Sequence, residues 1–115
     1  MEPKKLAGRA AKILSDKKAA ELRVLEVTDL TTLGDYFVFA TGTSTTHLKT
    51  LAEEVEYVLK KEGVLPKRVE GKAGGSWTLM DYGAVVIHVM LREAREFYAI
   101  ERLWSDAKSY GEDEI

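Results

Sequence analysis

Apolar residues recur at helical spacing from the start of the chain. Leu6, Ala7, Ala10, Ala11, Ile13 and Leu14 return every three or four positions, behind a proline at position 3 that a first helical turn tolerates. The spacing predicts a helix from Pro3 to about Lys17. Leu22–Val27 then alternates, with Leu22, Val24 and Glu26 on one side and Arg23, Leu25 and Val27 on the other, as a strand does. After a short connection, Leu30–Gly34, the run Tyr36–Ala40 is unbroken and apolar, which predicts a strand covered on both faces near the centre of a sheet. Gly42-Thr43-Ser44-Thr45-Thr46 leads into Leu48, Leu51, Ala52, Val55, Val58 and Leu59, an amphipathic helix whose other face carries Lys49, Glu53, Glu54, Glu56 and Lys60. Ser44 is its expected N-cap, because the hydroxyl accepts from free amides of the first turn. Gly63 and Pro66 end it.

Three shorter strands follow, Arg68–Lys72, Ser76–Asp81 and Ala84–Leu91, the last two joined through Tyr82-Gly83 as a hairpin. A last helix is expected over about Glu93–Trp104, with Phe97, Ile100 and Trp104 inward. Arg95 and Tyr98 lie on a neighbouring side, free to reach a partner or to steady the sheet edge. Residues 1–110 form one α/β domain, a two-layer mixed β-sheet of about five strands with helices packed on one face. The acidic end, Gly111–Ile115, is expected to fray.

A loop at Tyr82-Gly83 pairs Asp81 with Ala84, Leu79 with Val86 and Trp77 with His88. Val85, Ile87, Val89, Leu91 and Met80 then share one face, suited to lie under helices. Trp77, Leu79, Asp81, Val86, His88 and Met90 share the other. A tryptophan, a histidine and a carboxylate among aliphatics suit a partly covered surface. Either a third layer or a second copy covers this face, with His88 a satisfied histidine stacked on Trp77, or the face is a protein-binding patch with an aromatic anchor.

Composition narrows the chemistry. The 115 residues contain no cysteine, which excludes a disulfide framework, thiolate-bound zinc and a cysteine nucleophile and makes the cytoplasm the expected compartment. Two histidines on different elements make no metal site. No window approaches the roughly 18 apolar residues of a membrane helix. The net charge of −2 argues against binding nucleic acid by bulk electrostatics. It conceals a basic arm, however: residues 1–23 hold seven basic and three acidic side chains. No GxSxG elbow or GxxxxGK[ST] loop is present. The turn Gly42-Thr43-Ser44 is similar to the one with which nucleotidyltransferases hold a phosphate on a helix N-terminus. The acidic pair those enzymes place on the next strand is missing, and Glu54 and Glu56, two apart within a helix, point different ways. A nucleotide-binding or nucleotidyl-transferring enzyme using this turn is the alternative reading.

Several segments, in order and spacing, resemble one family: Asp16-Lys17-Lys18-Ala19, Asp35-Tyr36-Phe37-Val38, Thr41-Gly42-Thr43-Ser44, Val69-Glu70-Gly71, Trp77–Gly83, Val85–Val89 and Arg95–Trp104. Together they are similar to the ribosomal silencing factors (RsfS, Iojap-related). The resemblance implies a nucleotidyltransferase-like fold without transferase activity and without a cofactor. It also implies binding to the large ribosomal subunit through ribosomal protein number fourteen, so that the small subunit cannot join and translation is repressed. Carried over onto the matching segments, the protein-binding residues are Glu70, Trp77, Leu79, Asp81, Tyr82 and His88. Trp77 and Leu79 are expected to supply apolar area, Glu70 and Asp81 to face basic side chains, and His88 either to contact the partner or to support Trp77. Any contact with ribosomal RNA is expected from the basic arm, and the mixed face also suits pairing with a second copy. The chain departs from the family pattern at Ala73-Gly74-Gly75, a flexible approach to the Trp77 strand.

Overall fold

The computed structural model describes all 115 residues. Helix α1 spans Pro3–Asp16, strand β1 Ala20–Glu26, β2 Tyr36–Gly42 and helix α2 Thr45–Lys61. Strands β3 (Arg68–Lys72), β4 (Trp77–Asp81) and β5 (Val85–Leu91) follow, then helix α3 (Arg92–Tyr98), a 3-10 helix over Ile100–Trp104, strand β6 (Lys108–Tyr110) and a last 3-10 turn over Glu112–Glu114. The sheet order is β3-β4-β5-β2-β1-β6, with β2 and β5 parallel and every other pairing antiparallel. It is a mixed α/β fold, as expected, with six strands rather than about five. No helix is long and apolar enough to cross a membrane.

All seven residues of β2 are buried because both sides of the sheet centre are covered. On one side, Val38, Ala40, Val85, Ile87, Val89 and Met80 meet Leu6, Ala10 and Leu14 of α1 and Leu48, Leu51, Val55 and Leu59 of α2 in the main core. The periodicity that predicts these helices is thus the periodicity of burial. On the other side, Leu25, Val27, Phe37, Phe39, Leu79 and Val86 form a smaller cluster, and Ile100, Trp104 and Ala107 pack on it. The helices therefore do not keep to one face. The C-terminal segment crosses to the second face and forms a partial third layer.

That crossing depends on one residue. The expected helix over Glu93–Trp104 stops at Tyr98, since Ala99 adopts a left-handed conformation (φ 46°) and redirects the chain into the 3-10 helix. Helical phase is lost there, so Ile100 and Trp104 turn inward as expected while Phe97 does not: it is 81% exposed. The hairpin register also differs from the expected one. Tyr82 N–H donates to Val85 O at 2.9 Å, and Asp81 pairs with Val86, Leu79 with His88 and Trp77 with Met90. The tight turn is Gly83-Ala84, with Gly83 at φ 87° where a hairpin turn favours glycine. Moving the loop by one residue moves every partner by two, which leaves each side chain on its face.

The end of the chain is seated rather than frayed. Tyr110 is buried and its hydroxyl donates to Glu26 at 2.8 Å. Gly111 N–H donates to the Glu114 carboxylate at 2.6 Å, Ser15 Oγ donates to Glu112 at 3.1 Å, and Ile115 packs against the main core. Gly8 makes room for it, since a Cβ at that position would lie 2.6 Å from the Ile115 carbonyl oxygen.

Candidate protein-docking face

Alternation along β3, β4 and β5 brings Arg68, Glu70, Lys72, Trp77, Leu79, Asp81, Val86, His88 and Met90 to the second face. In register, Lys72 lies opposite Trp77, Glu70 opposite Leu79 and Arg68 opposite Asp81. Trp77 is half-buried on this face, and Leu79, two residues along the same strand, is buried beside it. The Trp77 indole N–H donates to His88 Nδ1 at 3.2 Å. His88 itself is only 5% exposed and stacks on Phe39 with ring centroids 4.8 Å apart and planes 10° apart.

A ring nitrogen that accepts from an indole carries no proton, so His88 is neutral with its proton on Nε2. Burial, with the Lys72 charge adding to it and Glu101 opposing, lowers its pKa from 6.5 to about 4. His88 holds the Trp77 ring in place and presents almost no surface of its own.

The charged rim is paired within itself. Glu70 lies 3.1 Å from Arg68 and 3.7 Å from Lys72, Arg68 lies 3.5 Å from Asp81, and Asp81 accepts from Gly83 N–H at 2.8 Å. Lys72 also sits over the Trp77 ring, 5.3 Å from its centroid. The acidic residues expected to wait for a cationic partner thus already have exposed cations beside them, pairs weak enough to exchange. Of the six expected residues, five share the face and Tyr82 does not. Neighbouring residues of a strand end point to opposite sides, and Tyr82 turns into the main core beneath the helices. Its hydroxyl is buried without a hydrogen-bond partner, and burial, with Glu56 adding to it, pushes its pKa up to about 12.

Beyond those six residues, Trp104 packs inward as expected, and of the two roles open to Arg95 and Tyr98, Arg95 takes that of steadying the sheet edge. The Tyr98 ring lies 5.3 Å from Trp77, and Trp104 meets Phe37 edge-on at 5.4 Å. Arg95, with its side chain 9% exposed, donates to both Glu101 carboxylate oxygens, to Thr41 Oγ1 at 2.8 Å and to the Glu21 carbonyl at 2.7 Å. Arg23 reaches the same carboxylate at 3.0 Å. Burial alone would raise the Glu101 pKa, but the hydrogen bonds and charges of Arg95 and Arg23 hold it below its ordinary value. This clamp ties α3 and the 3-10 helix to β1 and β2. Residues six apart do not pair on a continuous helix, so only the break at Ala99 brings Arg95 and Glu101 together.

The turn after β2 is occupied by its own bonds. Ser44 Oγ accepts from His47 N–H at 3.0 Å, Thr43 N–H donates to His47 Nδ1 at 3.0 Å, and His47 Nε2 donates to the Lys17 carbonyl at 2.9 Å. Gly42 serves packing, since a Cβ there would lie 2.7 Å from Leu48 Cδ1. A polar cleft of about 670 Å³ lies nearby, lined by Glu21, Arg23, Arg92, Arg95, Glu101 and Arg102 among others. Its charges are largely paired across it, Arg92 with Glu21 and Arg23 and Arg95 with Glu101.

Over residues 1–115 the chain matches the family model described as ribosomal silencing factor during starvation. The chain belongs to the RsfS family. It is 39% identical over 108 residues to the ribosomal silencing factor RsfS of Chromobacterium violaceum, covering 94% of this chain and 88% of that one. It is 32% identical over 107 residues to the RsfS of Bacillus subtilis, covering 93% and 91%. A mouse protein named mitochondrial assembly of ribosomal large subunit protein 1 is 37% identical over 99 residues, which are 81% of this chain and 42% of that protein. A crystal structure of a Chromobacterium violaceum protein superposes with a TM-score of 0.86 at 39% identity, covering 90% of this chain and 87% of that one. Membership in the RsfS family implies repression of translation at the ribosome, a regulatory role.

Proposed function

We propose that this RsfS-family chain docks on the large ribosomal subunit through ribosomal protein number fourteen, using the Trp77 face, and keeps the small subunit from joining by occupying its place. The observation that carries this is the Trp77 ring, half-buried on a sheet face with a charged rim and held in place by contacts with His88 and Tyr98. A pre-positioned aromatic loses little freedom on binding, which is what an anchor residue needs. Leu79 adds apolar area beside it, and Glu70 and Asp81 exchange Arg68 and Lys72 for basic side chains of the partner, acting mainly on association rate and orientation.

No chemistry on a substrate belongs to this reading, and the protein acts in the cytoplasm with the ribosomes it represses. Lys5, Lys17 and Lys18 on the basic arm make no ion pair, and any contact with ribosomal RNA is assigned to them. The same face is open to a second copy, which would compete with the ribosome for it. A nucleotide-transferring role finds no support in the turn at Gly42-Thr43-Ser44, where Ser44 Oγ and the Thr43 amide are already engaged.

Purified protein added to separated subunits should lower the yield of joined ribosomes in a sucrose gradient, and Trp77→Ala should restore it. Truncating an aromatic anchor costs about 2–4 kcal/mol, roughly a 30- to 1,000-fold loss of affinity. Normal joining at saturating wild-type protein would overturn the proposal.

A further inference from the structure

Phe97 has no role in the fold that its position explains. It belongs to neither buried cluster and is 81% exposed, although it sits on a helix fastened to the sheet. Its ring meets Tyr98 edge-on at 5.0 Å, and Tyr98 lies 5.3 Å from Trp77. Three aromatic rings thus run without a gap from α3 onto β4. The ridge is rigidly carried: Arg95 and Glu101 bracket Tyr98 and Ala99 in the chain, and Arg95 is bonded at the same time to β1 and β2. Exposed apolar residues occurring singly need no explanation, but a continuous aromatic ridge held by a clamp is the pattern of an interaction surface.

Charge selects the occupant. Glu93 and Glu96 are exposed on the same short helix as Phe97 and make no ion pair, while Arg92 and Arg95 are engaged with Glu21 and Glu101. Glu93 lies one helical turn before Phe97, and although Glu96 lines the polar cleft with the equally unpaired Arg102, the free carboxylates of this helix favour a basic protein over a nucleic-acid backbone. We propose that Phe97 is a second anchor of the docking surface, seated with Tyr98 in an apolar depression flanked by basic side chains on the same ribosomal protein that receives Trp77. This rests on the docking assignment made above and extends the contact from the sheet onto α3.

The test is a binding titration of fluorescently labelled wild type, Phe97→Ala, Phe97→Leu and Trp77→Ala against isolated large subunits and against purified ribosomal protein number fourteen. Phe97→Ala should weaken binding about tenfold on both, Phe97→Leu should keep most of the affinity, and the melting temperature of each Phe97 variant should stay at the wild-type value, because the ring is exposed. If Trp77→Ala weakens binding and Phe97→Ala does not, the second anchor is wrong and the docking face stands. If neither weakens binding, the docking assignment itself fails. A loss confined to intact large subunits overturns the proposal by placing the ridge against another ribosomal component. A Phe97→Ala variant that loses only self-association in light scattering overturns it in favour of a second copy.

Discussion

Glu101→Gln tests whether charge holds the C-terminal segment over the sheet. The Glu101 side chain is 16% exposed and that of Arg95 9%, so the pair is nearly but not wholly removed from water. Breaking a fully buried pair by removing one partner costs about 3–5 kcal/mol, because the other charge is left uncompensated. Arg95 would keep Thr41 Oγ1 and the Glu21 carbonyl, and water reaches Glu101. Both reduce the loss, to about 2–3 kcal/mol, which for a domain of this size lowers the melting temperature by roughly 8–15 °C.

Urea unfolding followed by tryptophan fluorescence measures the loss directly, since Trp77 and Trp104 both lie on the second face. Replacing both partners with apolar residues, Arg95→Met with Glu101→Leu, should recover most of it, because the desolvation of two charges is then avoided. A pH series adds an independent arm. The folded-state pKa of Glu101 lies below its ordinary 4.5, so its stabilisation is complete above that value and is lost as pH falls through the folded-state pKa. Glu101→Gln should lack that acid-dependent part. A loss of under roughly 0.5 kcal/mol, the range of ordinary surface substitutions, would refute the reasoning and assign the fastening of the segment to the packing of Ile100, Trp104 and Ala107 and the pairing of β6 with β1.

Three further outcomes follow from burial and close approach. The His88 pKa falls from 6.5 to about 4 on folding, so the unfolded chain binds the extra proton between those values and stability should decline by roughly 1.4 kcal/mol per pH unit as pH falls from about 6 to 4. NMR should find the His88 ring titrating near the lower value with its proton on Nε2, and a midpoint near 6.5 would contradict the geometry. Tyr82→Phe removes a buried hydroxyl that has no partner and should raise stability by about 1 kcal/mol in urea unfolding while leaving large-subunit binding unchanged. Gly8→Ala should cost about 1–2 kcal/mol in the same assay by displacing Ile115, and it should cost almost nothing in a chain already shortened by residues 111–115, where the clash is gone.

Periodicity made the helix-side half of the molecule legible. The 3.6-residue spacing of Leu48, Leu51, Val55 and Leu59 and the apolar run Tyr36–Ala40 each admit one packing, and both elements lie where that packing puts them. The second face was legible for a different reason. Locating the turn at Tyr82-Gly83 instead of Gly83-Ala84 misplaces every partner in the hairpin by two residues, and a shift of two never moves a side chain across the sheet. Trp77 and His88 therefore appeared together on one face even though they are not directly opposite. The same alternation, carried one residue past Asp81, puts Tyr82 on the helix side, so its absence from the candidate docking face was readable as well. The C-terminal segment was not. Residues 93–104 carry a helical pattern with no glycine or proline to interrupt it, and the break falls at an alanine, the residue with the highest intrinsic preference for continuing a helix. Local preference lost there to the burial of Ile100 and Trp104 and to the pairing of Arg95 with Glu101, contacts between segments that no window of neighbouring residues contains. Because that break also turns Phe97 outward and sets Tyr98 against Trp77, the part of the chain hardest to anticipate locally is the part that completes the candidate docking face.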